Sequence, residues 1–336
     1  MVLGTLGMDS LVAVLLVLGG AIALLIAVLA GVGWFFSSAE LSPGRRAIGH
    51  WLPVAATAVV ATLLGHAEMG FGVVFGTSVA AMSAVAGFVM LAGPAGTIPA
   101  RAGRVWALLP AATTLAFAIG FRGNVGLFEA AVLAIQGVLV LGVWTDWREA
   151  GRWVEQAAVE AAPRRGQARG MRVIHITAAL VLCVVAAWAA TRGAEQLSRL
   201  DVRYSTSAIA ATFLSVALVM PMIGTGVPPA SRACGWSPLT AQVGVVYLNL
   251  CLLLPLVIVI ARLMAWGGAA STQGPTNMVI FPRLTWRIDA LAGVVLSLVF
   301  MALSAGRLKT DRQLAGGLVI GYCMYLLCVM AADMRG

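Results

Sequence analysis

The sequence predicts an all-α membrane protein with ten transmembrane helices arranged as two inverted repeats of five. Three observations lead to this prediction. Of the 336 residues, 61% are hydrophobic and only 10% are charged, and the mean hydropathy is +0.96. Ten apolar runs are long enough to cross a bilayer, which takes about 20 residues in helical conformation. Two segments in opposite halves of the chain also match each other in sequence.

The charge content excludes a soluble enzyme, since about a quarter of the residues of a soluble domain are charged. The HExxH, GxSxG and P-loop motifs are missing from the sequence, so we expect neither an enzyme nor a bound cofactor. The net charge of +9 does not indicate nucleic-acid binding, because the arginines lie in the gaps between apolar runs. The expected partners are the lipid bilayer and a small cation or other small solute, and the sequence identifies no protein partner.

The predicted spans are joined by short connections except in one place. A long polar segment at residues 145–171 divides the chain into a first five-helix repeat, residues 1–144, and a second, residues 172–336. By length and hydropathy, the ten spans cover residues 10–36, 47–65, 69–93, 105–121, 125–144, 172–191, 205–227, 238–262, 287–305 and 313–333.

Basic residues predict the orientation of the chain in the membrane. With both termini outside, the linker at 145–171 faces the cytoplasm together with the loops after the other odd-numbered spans. This arrangement places roughly fourteen basic residues inside and roughly eight outside, as the positive-inside rule favours. We expect an integral protein of the inner (plasma) membrane of a bacterium.

The internal repeat rests on the segments that precede the fourth and ninth spans. Pro99 precedes the sequence RVWAL at residues 104–108, and Pro282 precedes RIDAL at residues 287–291. The proline-to-arginine spacing is the same in both, and each segment is followed by an apolar helix, an arginine-bearing turn and a final helix. Halves with an odd number of spans lie inverted in the membrane, which gives secondary transporters two access states.

Several stretches resemble the sodium/calcium exchanger (cation/calcium antiporter) family. Residues 40–43 (ELSP) precede the second span as a Gly-Leu-Ser-Pro-like segment does in that family. Residues 72–78 (GVVFGTS) resemble its Gly-Asn-x-x-Gly-Ser-Asn, and residues 193–195 (GAE) lead into the seventh span as a comparable segment does. The resemblance covers nearly the whole chain in layout. It implies an exchanger-like fold, cation antiport by alternating access, and a site on the second and third helices of each half.

The sequence departs from the family where the cation should bind. The family's second and seventh helices carry Gly-Thr-Ser-x-Pro-Glu, whose glutamates bind the cation. Residues 49–54 (GHWLPV) have this outline, with Val54 in the glutamate position. Two alignments of the seventh span remain open, with Met222 or Pro229 in that position. Asp and Glu are both missing from residues 47–65 and 204–260, so we expect a pocket with uncharged walls.

An uncharged pocket argues against calcium, which takes six to eight oxygen ligands and usually several carboxylates. It suits sodium or a neutral or anionic solute better, and sodium or a proton is the expected coupling ion. We assign no metal site. The candidate cation- or substrate-binding residues are Thr57, Gly76, Thr77, Ser78, Thr212, Ser215, Thr225 and Asn249, of which Asn249 is interpreted as the one amide of the eighth span.

Prolines inside apolar helices leave backbone carbonyls free, and transporters use such carbonyls in ion sites. The candidate helix breaks are Pro53, Pro221 and Pro228. His66 and Glu68 are interpreted as solvated residues of the exterior hairpin between the second and third spans. Asp289, at a predicted helix start, is interpreted as favourable to the helix dipole.

Two other interpretations also fit the sequence. A non-transporting scaffold or complex subunit that retains the exchanger fold would explain the missing glutamates. A drug/metabolite-type carrier also has ten helices in two inverted halves, but its termini are cytoplasmic.

Overall fold

The computed structural model describes residues 19, 43–93, 106–121, 124–140, 169–199, 205–230, 236–266, 279–280 and 283–333. Six helices in these ranges are regular: α1 (Pro43–Leu63), α3 (Leu109–Gly120), α4 (Leu127–Val140), α5 (Arg169–Arg199), α8 (Arg283–Ser304) and α9 (Arg312–Asp333). Three helices consist of an α-helical, a π-helical and a second α-helical segment: α2 (Ala67–Ala80, Ala81–Val85, Ala86–Ala92), α6 (Thr206–Ile209, Ala210–Leu214, Ser215–Ala230) and α7 (Trp236–Leu248, Asn249–Leu253, Leu254–Trp266). Two-residue strands, β1 (Asn124–Val125) and β2 (Val279–Ile280), pair antiparallel.

These helices coincide in order with the second to tenth predicted spans. The first predicted span, 10–36, lies outside the described residues apart from residue 19. Six helices are long and apolar enough to cross a membrane, and α3 and α4 are shorter apolar helices. The chain is therefore a helical integral membrane protein, and its count of ten spans stays a prediction. The division into two five-helix repeats also stays a prediction, because most of the linker at 145–171 lies outside the described ranges and α5 already begins at Arg169.

The centre of the bundle is α2, and 94% of its membrane-spanning window is buried. It packs against α1, α6, α7 and α8. The helices α8 and α9 lie at the periphery, where only 33% and 28% of the corresponding windows are buried. Their large apolar side chains, such as Leu291, Ile320 and Leu327, are at least 60% exposed. In a membrane this exposed surface contacts lipid.

Two glycines bring α2 unusually close to α6. A Cβ atom at Gly72 would lie 2.5 Å from the backbone oxygen of Ser207, and one at Gly76 would lie 2.5 Å from that of Ala211. Any side chain at either position would therefore push the helices apart. Since both contacts advance in the same direction, α2 and α6 run parallel. Small residues are how membrane helices gain packing contacts that lipid alone would not drive.

The helices α3 and α8 form an antiparallel pair with reciprocal aromatic contacts. Trp106, just before α3, packs on Phe300 near the end of α8. Trp286, near the start of α8, stacks on Phe117 near the end of α3, and both pairs of ring centroids are 5.2 Å apart. These helices follow the two matching sequence segments, and their antiparallel course is what inverted halves require of this pair.

Replacing Gly76 tests the close approach of α2 and α6. Gly76→Ala should destabilise the protein by about 1–3 kcal/mol, because the added methyl group overlaps the backbone of Ala211. Gly321→Ala in α9 is the matched control, since nothing lies within 4 Å of its Cβ position. Thermal unfolding of the purified variants in detergent measures both effects, and equal unfolding temperatures would contradict the close approach.

Candidate functional site

The candidate site is centred on Asn249, the first residue of the π-helical segment of α7. Its side chain is completely buried, and its Nδ2 donates to Thr77 Oγ1 and to Ser78 Oγ of α2, each at 3.0 Å. Both hydroxyl-bearing residues are buried as well. The structure thus brings three sequence-predicted site residues together in an uncharged polar centre between α2 and α7.

The two hydroxyls fix the orientation of the Asn249 amide. Thr77 Oγ1 donates to the backbone oxygen of Val73 at 2.6 Å, and Ser78 Oγ donates to that of Val74 at 2.7 Å. Because each hydroxyl has only one hydrogen to give, both must accept from the amide nitrogen. The amide oxygen, Asn249 Oδ1, is buried without a hydrogen-bond partner among the described residues. Such an acceptor is unfavourable when empty, and a cation or a donor group would satisfy it.

A second buried amide, Gln242, lies about two helical turns before Asn249 on the same face of α7. It is 0% exposed, and neither its Oε1 nor its Nε2 has a hydrogen-bond partner within the described part of the chain. The interpretation of Asn249 as the one amide of the eighth span is therefore wrong. Two amides seven residues apart in an apolar helix were the sequence signal that could have identified the pair.

Two other predicted site residues are buried but bond within their own helices. Thr57 Oγ1 donates to the backbone oxygen of Pro53 at 2.8 Å, and Thr212 Oγ1 donates to that of Ala208 at 2.7 Å. In the described ranges neither hydroxyl bonds to a neighbouring helix. They line the interior of the bundle, and the structure does not join them to the Asn249 centre.

Ser215 and Gly76 meet where α6 packs against α2. Ser215 Oγ donates to the backbone oxygen of Ala210 at 2.9 Å, and the same oxygen accepts the Ser215 backbone N–H. The hydroxyl lies directly against the Cβ position of Gly76, next to Thr77 in the centre. The side chain of Thr225 lies outside the described residues.

The predicted helix breaks at Pro53 and Pro221 are wrong. The helix α1 runs through Pro53, and the last segment of α6 runs through Pro221 and includes Pro228, whose side chain lies outside the description. A proline removes one backbone donor, and membrane helices tolerate this where neighbouring groups compensate. The prolines therefore do not open the helices around the site.

The irregular backbone instead lies in the π-helical segments of α2, α6 and α7. Each ends with a backbone N–H bonded five residues back: Ala86 to Ala81, Ser215 to Ala210, and Leu254 to Asn249. Such segments occur frequently at functional sites. In α7 the segment begins at Asn249 itself and ends just before Pro255, which cannot donate to a carbonyl in the preceding turn.

A carboxylate, Asp289, reaches the wall of a small cavity beside Ser78. It is only 2% exposed, and the Tyr325 hydroxyl donates to its Oδ1 at 2.8 Å. Two predictions are therefore wrong: Asp289 is not a surface residue at a helix start, and the walls near the site are not wholly uncharged. The sequence could not show this, because the burial comes from α2, α3 and α9 packing around α8. Among the described residues, no group of three or more His, Cys, Asp or Glu side chains is placed to hold a metal ion.

A tight turn between α1 and α2 positions His66. Gly65 has φ +91°, a conformation that favours glycine, and its N–H bonds to the backbone oxygen of Thr62 at 3.0 Å. The His66 N–H bonds to that of Ala61, also at 3.0 Å. This glycine-ended helix terminus turns the chain sharply and fixes the direction of the His66 side chain.

The prediction that His66 and Glu68 are solvated turn residues is wrong. His66 Nε2 lies 3.4 Å from Glu195 Oε2 of α5, which also contacts Arg192 NH1 at 2.9 Å. Thr206 of α6 donates to Glu68 Oε1 at 3.1 Å. We call these five residues the end cluster; it ties the α1–α2 turn to α5 and α6. Sequence reasoning missed it because its members lie more than a hundred residues apart.

The end cluster should make stability depend on pH. Glu68 (Oε1 at 3.9 Å from Nδ1) raises the pKa of His66 most, burial opposes this, and Glu195 raises it further. The contribution is present in full below the ordinary value of 6.5 and is lost as pH rises through the higher pKa in the folded protein. His66→Gln and Glu195→Gln should both flatten the dependence of unfolding temperature on pH, whereas Asp311→Asn should not. An unchanged pH profile in His66→Gln would refute the pairing.

Solved cation exchangers share this fold. The sodium-calcium exchanger NCX_Mj, in a structure soaked with Na⁺ and Sr²⁺, superposes with a TM-score of 0.59 at 16% identity, covering 94% of this chain and 98% of that one. For an NCX_Mj structure soaked with Na⁺ and no Ca²⁺, the TM-score is 0.55 at 16% identity, over 94% and 98%. The H⁺/Ca²⁺ exchanger CAX superposes with a TM-score of 0.64 at 14% identity, over 96% of this chain and 88% of that one. No protein-family model and no curated protein matches the sequence.

The resemblance inferred from the sequence is therefore confirmed at the level of the fold. Both kinds of neighbour cover nearly the full length of this chain at low sequence identity. The chain has the fold of the cation/calcium antiporter superfamily.

Proposed function

We propose that the chain is a secondary transporter that moves a small cation or other small solute by alternating access. The substrate is held between α1 and α2 on one side and α6 and α7 on the other, four helices that pack against one another. The observation that carries the proposal is the buried Asn249 amide, whose oxygen has no partner among the described residues and lies at the meeting point of α2 and α7.

The fold supports transport over catalysis. Solved structures with this fold are described as a sodium-calcium exchanger and an H⁺/Ca²⁺ exchanger. Inverted halves allow a central site to open to either side by rocking one part against the other. Cation antiport is the form of transport that this likeness favours.

The chemistry of the centre favours a monovalent cation over calcium. Val54, in the position of a family glutamate, is 0% exposed, and Met222, one candidate for the other position, is also fully buried. Thr77, Ser78 and Asn249 supply only uncharged atoms. Calcium usually needs carboxylates to offset its charge and its dehydration. We therefore propose sodium as substrate or coupling ion, with a proton as the other candidate for coupling.

The proposed topology follows the sequence predictions. Residues 1–144 and 172–336 form the two inverted halves, and the linker at 145–171 lies in the cytoplasm with both termini outside. The excess of basic residues on the linker side supports this orientation, and the expected location is the inner membrane of a bacterium.

A non-transporting scaffold is the second candidate. One observation favours it: the hydroxyls of Thr57, Thr212 and Ser215 already bond to carbonyls of their own helices. A bundle satisfied in this way needs no substrate to be stable. A stoichiometric partner that co-purifies with the protein would support the scaffold, and saturable ion binding by the isolated protein would eliminate it.

Replacing Asn249 tests the proposed site. Asn249→Leu keeps the approximate volume but removes the free amide oxygen, so sodium affinity should fall by about 10- to 100-fold, as expected for the loss of a polar partner of an ion. Uptake of radioactive sodium by proteoliposomes against an opposing gradient of sodium, potassium, calcium or protons measures the change.

Gln136→Leu is the matched control for this experiment. It makes the same amide-to-leucine type of change on α4, away from the Asn249 centre, and should leave sodium uptake unchanged. If the unmodified protein transports none of the four ions, the transport proposal is wrong. If both variants behave like the unmodified protein, transport occurs at another site.

A further inference from the structure

Asp289 is a buried carboxylate without a basic partner. It lies in the apolar stretch Trp286–Ser304 and is 2% exposed. Its one recorded hydrogen bond comes from Tyr325, and no Lys, Arg or His of the described residues forms an ion pair with it. Holding an unpaired ionised carboxylate in such surroundings costs several kcal/mol. The group therefore needs a proton or a cation to neutralise it.

The titratable groups that face Asp289 are two tyrosines of α9. Tyr325 donates to it, and Tyr322 stacks on Tyr325 with ring centroids 5.8 Å apart. The buried Tyr322 hydroxyl has no hydrogen-bond partner in the described part of the chain. The helix α3 contains no titratable residue, and the only one in α2 is Glu68, which belongs to the end cluster. No opposite charge from these packed helices offsets an ionised Asp289.

The cavity beside Asp289 suits a proton better than a metal ion. Its volume is about 10 Å³, at the lower limit for holding one water molecule. Ser78 and Thr113 are the other hydroxyl-bearing residues that line it, and the rest of the wall includes apolar Phe75 and Leu250. A metal cation needs more oxygen ligands than this wall supplies.

We propose that Asp289 is a proton-binding site that works together with the Asn249 centre. Since Oδ1 accepts from Tyr325, the proton binds to Oδ2; it arrives from water and returns to water without any other bond changing. Ser78 links the two places, because it lines the cavity and also accepts from Asn249.

The charge of Asp289 then provides the coupling, a step that rests on the proposed transport function. Ionised Asp289 attracts a cation to the neighbouring neutral centre, and protonated Asp289 does not. Proton and cation therefore compete for the same stabilisation although they bind to different atoms. This competition is the requirement for exchange of one for the other.

Infrared difference spectroscopy tests proton binding independently of transport. A pH change applied to the purified protein in lipid should produce the carbonyl-stretch band of a buried carboxylic acid. Asp289→Asn should lose the band, and Tyr325→Phe should shift it, since the donor to Oδ1 is gone. Asp311→Asn, an equivalent change at an exposed carboxylate that caps α9, should keep it. A band that is missing from the unmodified protein, or unchanged in Asp289→Asn, overturns the proposal.

Transport assays separate this proposal from the proposed function. In proteoliposomes, Asp289→Asn should lose uptake driven by a pH gradient and keep sodium–sodium exchange. A band assigned to Asp289 in a protein that moves no ion supports the proton site and refutes transport. Sodium transport that Asp289→Asn leaves fully responsive to a pH gradient refutes the coupling role and leaves transport intact.

Discussion

An amide buried among membrane helices must find its hydrogen bonds inside the protein, and this constraint organises the centre of the bundle. Asn249 reaches Thr77 and Ser78 of α2 at 3.0 Å each. The hydroxyls can accept because they pass their own hydrogens to carbonyls one turn back in α2. On its other side, α2 can sit equally close to α6 because Gly76 has no side chain. Small residues thus provide the proximity, and hydroxyls provide the polarity, for one oxygen that is left free.

Charge is moved away from this centre without leaving the bundle. Val54 occupies the position of a family glutamate, yet Asp289 of α8 reaches a cavity that Ser78 also lines. A fixed glutamate in direct contact with a cation offsets the charge of a divalent ion. A single carboxylate to one side, bonded by Tyr325, can instead alternate between its ionised and protonated forms. The exchanger fold can therefore accommodate monovalent exchange after losing its calcium ligands.

Local patterns in the sequence predicted the helices and part of the site. Hydropathy located α1 to α9, and the position of Asn249 opposite the Gly76–Ser78 stretch followed from the exchanger resemblance. The prolines misled, because a helix supported on all sides continues through Pro53. The π-helical turns have no clear sequence signature apart from Pro255. Contacts such as His66 with Glu195 and Asp289 with Tyr325 depend on distant helices meeting, which periodicity and spacing along the chain do not encode.

The central claim is that an uncharged centre at Asn249 binds a monovalent cation. Equilibrium binding of radioactive sodium and radioactive calcium to the purified protein in detergent tests it most directly. The account predicts saturable sodium binding that excess calcium does not displace and that the Asn249→Leu variant loses. Tight calcium binding, or sodium binding that is unaffected in this variant, would contradict it.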